Sequence, residues 1–329
     1  MRDLRRKLAE PGILIMDGAT GTQLQRMKLV AGMAPEVWNL EQPENIRKHH
    51  RAYVEAGSDV ILTNTFGGSR PRLDMEGFGH LTPEVNLAAA KLAREVAGDQ
   101  VLVLGSIGPS GQLMQPMGEL TFETAVDYFY EQAAALVEGG VDGIHIETMS
   151  DLDEAKAAVV AAHRVTNLPV TVTMSFDMHG RTMMGVRPED AVKELWALDV
   201  VGVGVNCGNT LEENLRALMA MRTAAPEVTL IAKPNAGLPR IENGAEAVYD
   251  VTPETMSEYA LKFGAQHVKM LGGCCGTTPD HIAMVKRVMN RFEPPALVDV
   301  LASNREAVID HQNGRPQQRR RDSRRRVRT

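Results

Sequence analysis

Eight short apolar segments recur along the chain and give the first sign of its architecture. Most are rich in β-branched residues and run continuously apolar instead of alternating with polar residues. This pattern is typical of strands that are buried on both faces, as in a parallel sheet. The segments are 13–16, 60–62, 101–104, 143–146, 170–174, 201–205, 228–231 and 267–271.

Helical segments lie between these predicted strands, and several have recognisable ends. Thr82 is a good N-cap for a helix that ends before Gly98. Pro253 and Pro279 stand at first helical positions, where the missing N–H costs little. The predicted helices are 45–56, 83–97, 121–138, 151–165, 211–224, 252–263 and 279–291.

The alternation of eight strands with helices over about 280 residues favours a (β/α)8 barrel, the TIM barrel of the α/β class. A doubly wound open sheet is the alternative, but the strand count is eight and no second domain is left over. We therefore predict one barrel over residues 1–293. A C-terminal helical extension over 294–314 and a disordered, arginine-rich tail over 315–329 are expected to follow it.

Composition and charge narrow the choice of partners. Hydrophobic residues make up 43% and charged residues 24%, which is ordinary for a globular protein. The net charge is −6, but residues 315–329 include eight arginines and one aspartate, so the rest of the chain carries −13. An acidic body argues against nucleic acid as the main partner. We expect the tail to be solvated and disordered. The alternative is that it binds RNA or anionic lipid.

The sequence also indicates a compartment. No segment approaches the roughly 20 apolar residues of a membrane span, and the N-terminus lacks the apolar run of a secretory signal. Three cysteines, two of them adjacent, are not a disulfide framework. These features predict a cytoplasmic protein without membrane association, with free or metal-bound thiols.

The three cysteines are the strongest candidates for chemistry. In a TIM barrel the carboxyl ends of the strands form the functional face. Cys207 follows strand six, and Cys274 and Cys275 follow strand eight, so all three are expected at one rim. Three converging thiolates are typical of zinc and leave one position open, as in catalytic sites. The alternative is that Cys207 is a small buried residue and the other two are an incidental pair.

The fourth position has two further candidates. Asn235 follows strand seven, and its amide oxygen could fill the position when no thiol is bound, although a turn asparagine is the other interpretation. His281 follows the cysteine loop and is an alternative ligand. With three thiolates, zinc is a poor activator of water and is suited to binding a thiol, lowering its pKa and leaving it nucleophilic. The chemistry indicated is alkyl transfer to sulfur.

Five stretches of the chain together resemble the homocysteine S-methyltransferases, a family that includes betaine–homocysteine methyltransferase and the N-terminal barrel of cobalamin-dependent methionine synthase. The resemblance covers roughly residues 10–290. The paired cysteines after the last strand, with a single cysteine upstream, are its most specific feature. The stretches are 16–22, 59–66, 105–109, 206–208 and 272–281.

The resemblance implies a zinc-bearing barrel that methylates homocysteine to methionine, with Cys207, Cys274 and Cys275 as zinc ligands. It also implies that Asp17 and Glu147 hold the homocysteine amino group. Asp17 as a brace of its glycine-rich turn, and Glu147 as a helix cap or ion-pair partner, remain alternatives. The backbone near Gly18–Ala19 and Ser106–Ile107 could bind the carboxylate. The expected substrate-binding set is Asp17, Gly18, Asn64, Ser106, Glu147 and Asn235.

The methyl donor is expected to be betaine or a related small compound. A quaternary ammonium is best held by aromatic faces, and Trp38 with Phe66 could form a minimal cage. The first alternative is a methylcorrinoid or methyltetrahydrofolate donor on a separate protein. The second alternative is a non-catalytic, zinc-containing binding barrel. Self-association is compatible with the sequence but has no marker in it.

Overall fold

The computed structural model describes residues 2–30, 32–177, 179–242 and 246–312, without the side chains of 241, 242, 246 and 307–312. The predicted tail over 315–329 lies outside these residues. Eight parallel strands form one sheet with the neighbour order β1-β8-β7-β6-β5-β4-β3-β2. They are β1 Leu14–Ile15, β2 Val60–Leu62, β3 Leu102–Ile107, β4 Gly143–Met149, β5 Val170–Met174, β6 Gly202–Cys207, β7 Leu230–Pro234 and β8 Val268–Leu271.

The sheet closes into a barrel, which confirms the predicted fold class. Met16, directly after β1, forms a parallel bridge to Val60 at the start of β2, so the first and last strands of the order meet. A two-stranded antiparallel hairpin, Pro239–Glu242 and Glu246–Tyr249, follows β7 and was not among the predicted elements.

Helices surround the barrel. They are α1 Leu4–Ala9, α2 Gly21–Arg26, α3 Trp38–Glu41, α4 Pro43–Glu55, α5 Arg70–Asp74, α6 Thr82–Ala97, α7 Phe122–Glu138, α8 Leu152–Val165, α9 Pro188–Trp196, α10 Leu211–Ala224, α11 Pro253–Ala265, α12 Pro279–Met289 and α13 Leu297–Gln312. The predicted long helices are all present, and α9 and the short helices are additional to them.

Some helix ends follow the expected capping chemistry, and the start of α6 differs from the prediction. Thr121 and Thr252 accept hydrogen bonds from the backbone of α7 and α11. Thr82, predicted as an N-cap, lies inside α6, and Leu81 takes the cap position. The Thr82 hydroxyl donates to the carbonyl of Gly79 at 2.8 Å, because a short 3-10 turn leads into the helix and its carbonyls need partners.

The barrel interior changes from apolar to polar along its axis. Its lower part is a hydrophobic cluster that includes Leu62, Leu104, Ile231 and Met270, closed from below by Leu4 of α1. Further along the strands, polar side chains replace these apolar ones. Because successive strand residues point to opposite faces, the inward positions above this cluster carry groups that face a cavity at the carboxyl ends of the strands.

Candidate metal centre and substrate cavity

A cavity of about 440 Å³ opens at the carboxyl ends of the strands. Its volume lies within the range of small-molecule sites. The walls come from the ends of β2, β3, β4, β6 and β7, from the loops after β1 and β8, and from the hairpin. The functional face is therefore the one expected of a TIM barrel.

The three cysteines meet in this cavity. The sulfur atoms of Cys207, Cys274 and Cys275 all lie within 4.8 Å of one another, a group that could hold a metal ion. The Sγ atoms of Cys207 and Cys275 are 4.0 Å apart. Hydrogen bonds from the thiols of Cys207 and Cys274 lower the pKa of Cys275, because they stabilise its thiolate. Three soft donors at this spacing fit a thiophilic ion such as zinc.

Backbone contacts fix the cysteine loop against neighbouring strands. The N–H of Cys274 donates to the carbonyl of Pro234 at 2.8 Å, and the carbonyl of Cys275 accepts from Ala236 at 2.9 Å. Gly276 follows with a φ of 79°, a left-handed conformation that glycine adopts without steric cost. A Cβ at this position would lie 2.2 Å from Cγ of Tyr249.

Cys207 reaches the cavity through an unusual backbone turn. Its φ is 57°, and Gly208 follows at 70°. Asn206, the residue before it, is fully buried and hydrogen-bonds to Thr148 at the end of β4. The Asn206 amide nitrogen also lies 3.9 Å from the sulfur of Cys274. The ends of β4, β6 and β8 are thus connected at the three-cysteine cluster.

Glu147 is a buried carboxyl group in the cavity wall. Its side chain is 6% exposed, and its Oε1 accepts a hydrogen bond from the Ser106 hydroxyl at 2.5 Å. Burial raises the pKa of Glu147 to about 7, and the charge of Lys233 opposes this shift. A carboxylate at this position could receive an ammonium group, as the sequence analysis expects.

Asp17 forms a buried ion pair that the sequence did not reveal. Its Oδ1 is 3.1 Å from the Nζ of Lys233, and its Oδ2 accepts from the backbone N–H of Leu62 at 2.7 Å. Asp17 is 1% exposed and Lys233 2% exposed. Lys233 belongs to the cavity wall. Both oxygens of Asp17 therefore already have partners within the protein.

The other residues expected to bind substrate are Gly18, Ser106, Asn64 and Asn235. The side-chain amides of the two asparagines donate hydrogen bonds within the chain. Gly18 and Ser106 line the cavity. Asn64 also lines it, but its amide donates to the carbonyl of Pro35 and to Asn39, at 2.8 and 3.0 Å, so it braces the loop after β1. Asn235 donates to the carbonyl of Gly208 at 2.7 Å.

The amide oxygen of Asn235 is buried and has no hydrogen-bond partner among the residues described. A buried acceptor of this kind is costly unless something binds it. By contrast, His281 has partners on both ring nitrogens. Its Nδ1 lies 2.8 Å from the Thr278 hydroxyl and its Nε2 lies 2.8 Å from the carbonyl of Val251. His281 caps α12 and is not placed to act as a ligand.

Two of the backbone N–H groups in the region expected to bind a carboxylate already have acceptors. The N–H of Ala19 donates to the carbonyl of Thr277 at 3.2 Å, and that of Ser106 donates to the Thr63 hydroxyl at 3.0 Å. Binding of the carboxylate by the rest of the backbone near Gly18–Ala19 and Ser106–Ile107 stays a prediction.

The two aromatic candidates have different surroundings. Phe66 lines the cavity and is 39% exposed. Trp38 was expected to form an aromatic cage with Phe66, but it is buried and packs in a cluster with Leu24, Ile46 and Leu92. The prediction that Trp38 contacts the methyl donor is therefore wrong. Tyr249 of the hairpin, which no strand-end position indicated, supplies an aromatic ring beside Cys275.

Taken together, the fold and the cavity define a (β/α)8 barrel with three cysteines that could hold a metal ion at the carboxyl ends of its strands. The chain belongs to the homocysteine S-methyltransferase family of methyltransferase enzymes, whose sequence model matches residues 14–289. This confirms the resemblance drawn from the sequence.

Individual relatives agree with this assignment. Over 311 residues the chain is 32% identical to methionine synthase from Mycobacterium leprae (strain TN), a match that covers 88% of this chain and 25% of the relative. The chain therefore spans about a quarter of that relative's length. The metallated form of the homocysteine methyltransferase MmuM from Escherichia coli has the same fold, with a TM-score of 0.74, 23% identity and coverage of 86% and 99%. Its oxidized form matches with a TM-score of 0.72 and 24% identity. Within the described residues, none of the helices is long and apolar enough to cross a membrane.

Proposed function

We propose that this chain transfers a methyl group to the thiol of homocysteine, giving methionine, at a zinc ion held by Cys207, Cys274 and Cys275. The observation that carries the proposal is the approach of three sulfur atoms within 4.8 Å in the same cavity as the buried carboxyl of Glu147. Zinc held by three thiolates would lower the pKa of an incoming thiol and leave it nucleophilic.

The residues of the chain then bind and orient the amino acid. Glu147 receives the ammonium group, and the Ser106 hydroxyl fixes the rotamer of the carboxylate. The unpartnered oxygen of Asn235 supports its proposed role as the fourth ligand when no thiol is bound. Tyr249 of the hairpin lines the cavity beside Cys275.

Betaine or a related small donor with an onium group remains our first proposal for the second substrate. Phe66 and Tyr249 are the aromatic residues of the described cavity wall, and aromatic faces attract onium groups. Both are compatible with a donor that enters from the mouth and meets the thiol above the cysteines.

A donor carried by a separate corrinoid protein is the second candidate, and a different observation favours it. Large apolar side chains are exposed on the loops after β1, β2, β3 and β5: Val30 at 63%, Met75 at 68%, Met117 at 70% and Met183 at 82%. Exposed apolar groups arranged around a cavity are typical of a surface that a protein partner covers.

A donor screen tests these proposals together. The zinc-loaded chain is incubated with homocysteine and, separately, betaine, S-methylmethionine, methyltetrahydrofolate or a methylcorrinoid protein, and methionine is measured. Methionine with a small donor supports the first proposal, and methionine with the corrinoid protein alone supports the second. Binding of zinc without methionine from any donor would favour the non-catalytic barrel.

A further inference from the structure

Glu36 is a buried carboxyl group of the cavity wall that the proposed function leaves unused. It belongs to a short 3-10 turn, Pro35–Val37, after β1 and is 4% exposed. Its Oε1 accepts the backbone N–H of Gly67 at 2.6 Å. Among the described residues, no lysine, arginine or histidine forms an ion pair with it. A buried charge without an opposite charge is costly, so a cationic ligand in the cavity would supply the missing partner.

The surroundings of Glu36 suit a cation that keeps its charge at every pH. Burial raises the pKa of Glu36, and the backbone hydrogen bond from Gly67 and the charge of Arg72 oppose this shift only in part. A quaternary ammonium or sulfonium group beside the carboxylate would stabilise its ionised form. Phe66, directly before Gly67, lines the same cavity and is 39% exposed, and aromatic faces attract such groups.

A second charged side chain, that of Arg72, lies beside Glu36. A Cβ on Gly67 would lie 3.1 Å both from Oε1 of Glu36 and from Cγ of Arg72, so the two side chains approach the same glycine. Arg72 belongs to α5 and to the cavity wall. Its guanidinium lies 3.5 Å from the sulfur of Met75, and among the described residues no carboxylate forms an ion pair with it. Its charge is therefore available to an anionic group of a ligand.

One small ligand that carries charges of both signs could contact Glu36 and Arg72 together. In a betaine, a single methylene group separates the onium group from the carboxylate. Arg72 presents a planar fork of N–H donors that matches a carboxylate. Lys233, the other basic side chain of the described wall, is already paired with Asp17. The wall around Gly67 thus has the charge pattern of a site for a zwitterion.

We propose that Glu36, together with Phe66, binds the onium group of the methyl donor and that Arg72 binds its carboxylate, so that the second substrate is an onium carboxylate. This inference rests on the proposed function, because its ligand is the donor that meets homocysteine at the cysteines. It makes Glu36 and Arg72 specificity-determining residues, which distinguish a zwitterionic donor from a neutral or purely cationic one.

The kinetics of methionine formation by the full, zinc-loaded chain test the two charges separately, with betaine as the donor and homocysteine at saturation. Two inhibitors each keep one half of betaine. In 3,3-dimethylbutanoate a carbon replaces the ammonium nitrogen, so the shape and the carboxylate remain without the positive charge. Tetramethylammonium keeps the onium group and lacks the carboxylate.

Glu36→Gln removes the charge of Glu36 and keeps an oxygen that can accept the N–H of Gly67. We expect it to raise KM for betaine and Ki for tetramethylammonium by at least about tenfold, the size of one lost charged contact, and to leave Ki for 3,3-dimethylbutanoate within about twofold. A rise of the same size in both Ki values would show that Glu36 only holds the loop, and would overturn its assignment.

Arg72→Met should give the reverse pattern, with a higher KM for betaine and a higher Ki for 3,3-dimethylbutanoate but not for tetramethylammonium. The zinc content and KM for homocysteine should stay unchanged in both variants. Arg5→Met is the matched control, because Arg5 is an exposed arginine of α1, at the opposite end of the barrel. An unchanged KM for betaine in Arg72→Met would overturn the assignment of Arg72.

The failure of this inference is distinguishable from the failure of the proposed function. If the unsubstituted chain forms methionine with a methylcorrinoid protein but not with betaine or S-methylmethionine, the onium carboxylate site is overturned and methyl transfer to homocysteine stands. If no donor gives methionine, both are overturned.

Discussion

The side-chain amide of Asn206 makes two hydrogen bonds to Thr148. Its oxygen accepts the Thr148 backbone N–H at 2.7 Å, and its nitrogen donates to the Thr148 hydroxyl at 2.6 Å. Thr148 has a φ of 61°, which is rare for a β-branched residue. The asparagine therefore holds a strained turn directly after Glu147, and with it the direction of the Glu147 side chain.

This relationship predicts a coupled effect on stability. Asn206→Ala should lower the free energy of unfolding by about 1 to 3 kcal/mol, because it leaves the half-buried N–H of Thr148 without its acceptor. Thr148→Gly should recover part of that loss in the Asn206→Ala background, since glycine adopts positive φ freely. Urea unfolding of the four proteins forms a double-mutant cycle. Identical effects of Thr148→Gly in both backgrounds would show that Asn206 does not hold the turn.

Gly276 is predicted to be irreplaceable for two separate reasons. Its φ of 79° strains any other residue, and an added Cβ would meet the Tyr249 ring at 2.2 Å. Gly140 is a matched control, because its φ is 87° and nothing lies within 4 Å of an added Cβ. Gly140→Ala should cost about 1 kcal/mol from the backbone alone. Gly276→Ala should cost more and should weaken zinc binding; equal costs by urea unfolding and unchanged zinc content would contradict this.

Two adjacent histidines of α4 predict an acid-sensitive fold. His49 and His50 are buried, and their ring nitrogens have no hydrogen-bond partners among the described residues. Burial lowers the pKa of His49 to about 4 and also lowers that of His50. The unfolded chain takes up protons below about pH 6.5, whereas the folded chain does not until lower pH. Stability is therefore complete above pH 6.5 and is lost as the pH falls toward 4.

For His49 alone the full difference corresponds to about 3 kcal/mol at pH 4, of which about 2 kcal/mol is lost by pH 5. The measurement is the free energy of urea unfolding at pH 7.5 and at pH 5. His49→Phe should reduce the loss between the two pH values, because the residue then takes up no proton in the unfolded chain. His80→Gln is the control, since His80 is exposed. A loss that is the same in all three proteins would remove His49 as the cause.

Each cysteine of the cluster should be required for metal binding. Cys207→Ala, Cys274→Ala and Cys275→Ala each remove one of three soft ligands, so we expect the bound zinc to fall from one equivalent to a small fraction after dialysis. Thr173→Val on β5 is the control, because it changes a buried hydroxyl that has no partner among the described residues. Full zinc occupancy in any cysteine variant, by elemental analysis, would rule that residue out as a ligand.

The convergence of the three cysteines could be predicted because their positions follow directly from the strand pattern. Once eight apolar segments are taken as parallel strands of a barrel, Cys207, Cys274 and Cys275 must meet at one end. Glu147 follows from the same argument. The location of these residues in the fold depends only on how far each one lies from a strand end. The hydrophobic pattern indicates where the strands end.

Contacts between residues on different strands and loops of the barrel could not be predicted from the sequence. Lys233 stands at the end of an apolar run, and nothing local indicates that its partner is Asp17, 216 residues away. Tyr249 enters the cavity on a hairpin and not at a strand end. Trp38 lies in a loop region whose aromatic residue could face either the mouth or the core, and packing against α4 and α6 decided this.

The most direct test of the account is X-ray absorption at the zinc edge of the loaded chain, with and without homocysteine. We predict three sulfur neighbours and one lighter ligand without the amino acid, and four sulfur neighbours with it. A sulfur count that stays at three when homocysteine is saturating, or a purified chain that retains no zinc, would contradict the central claim.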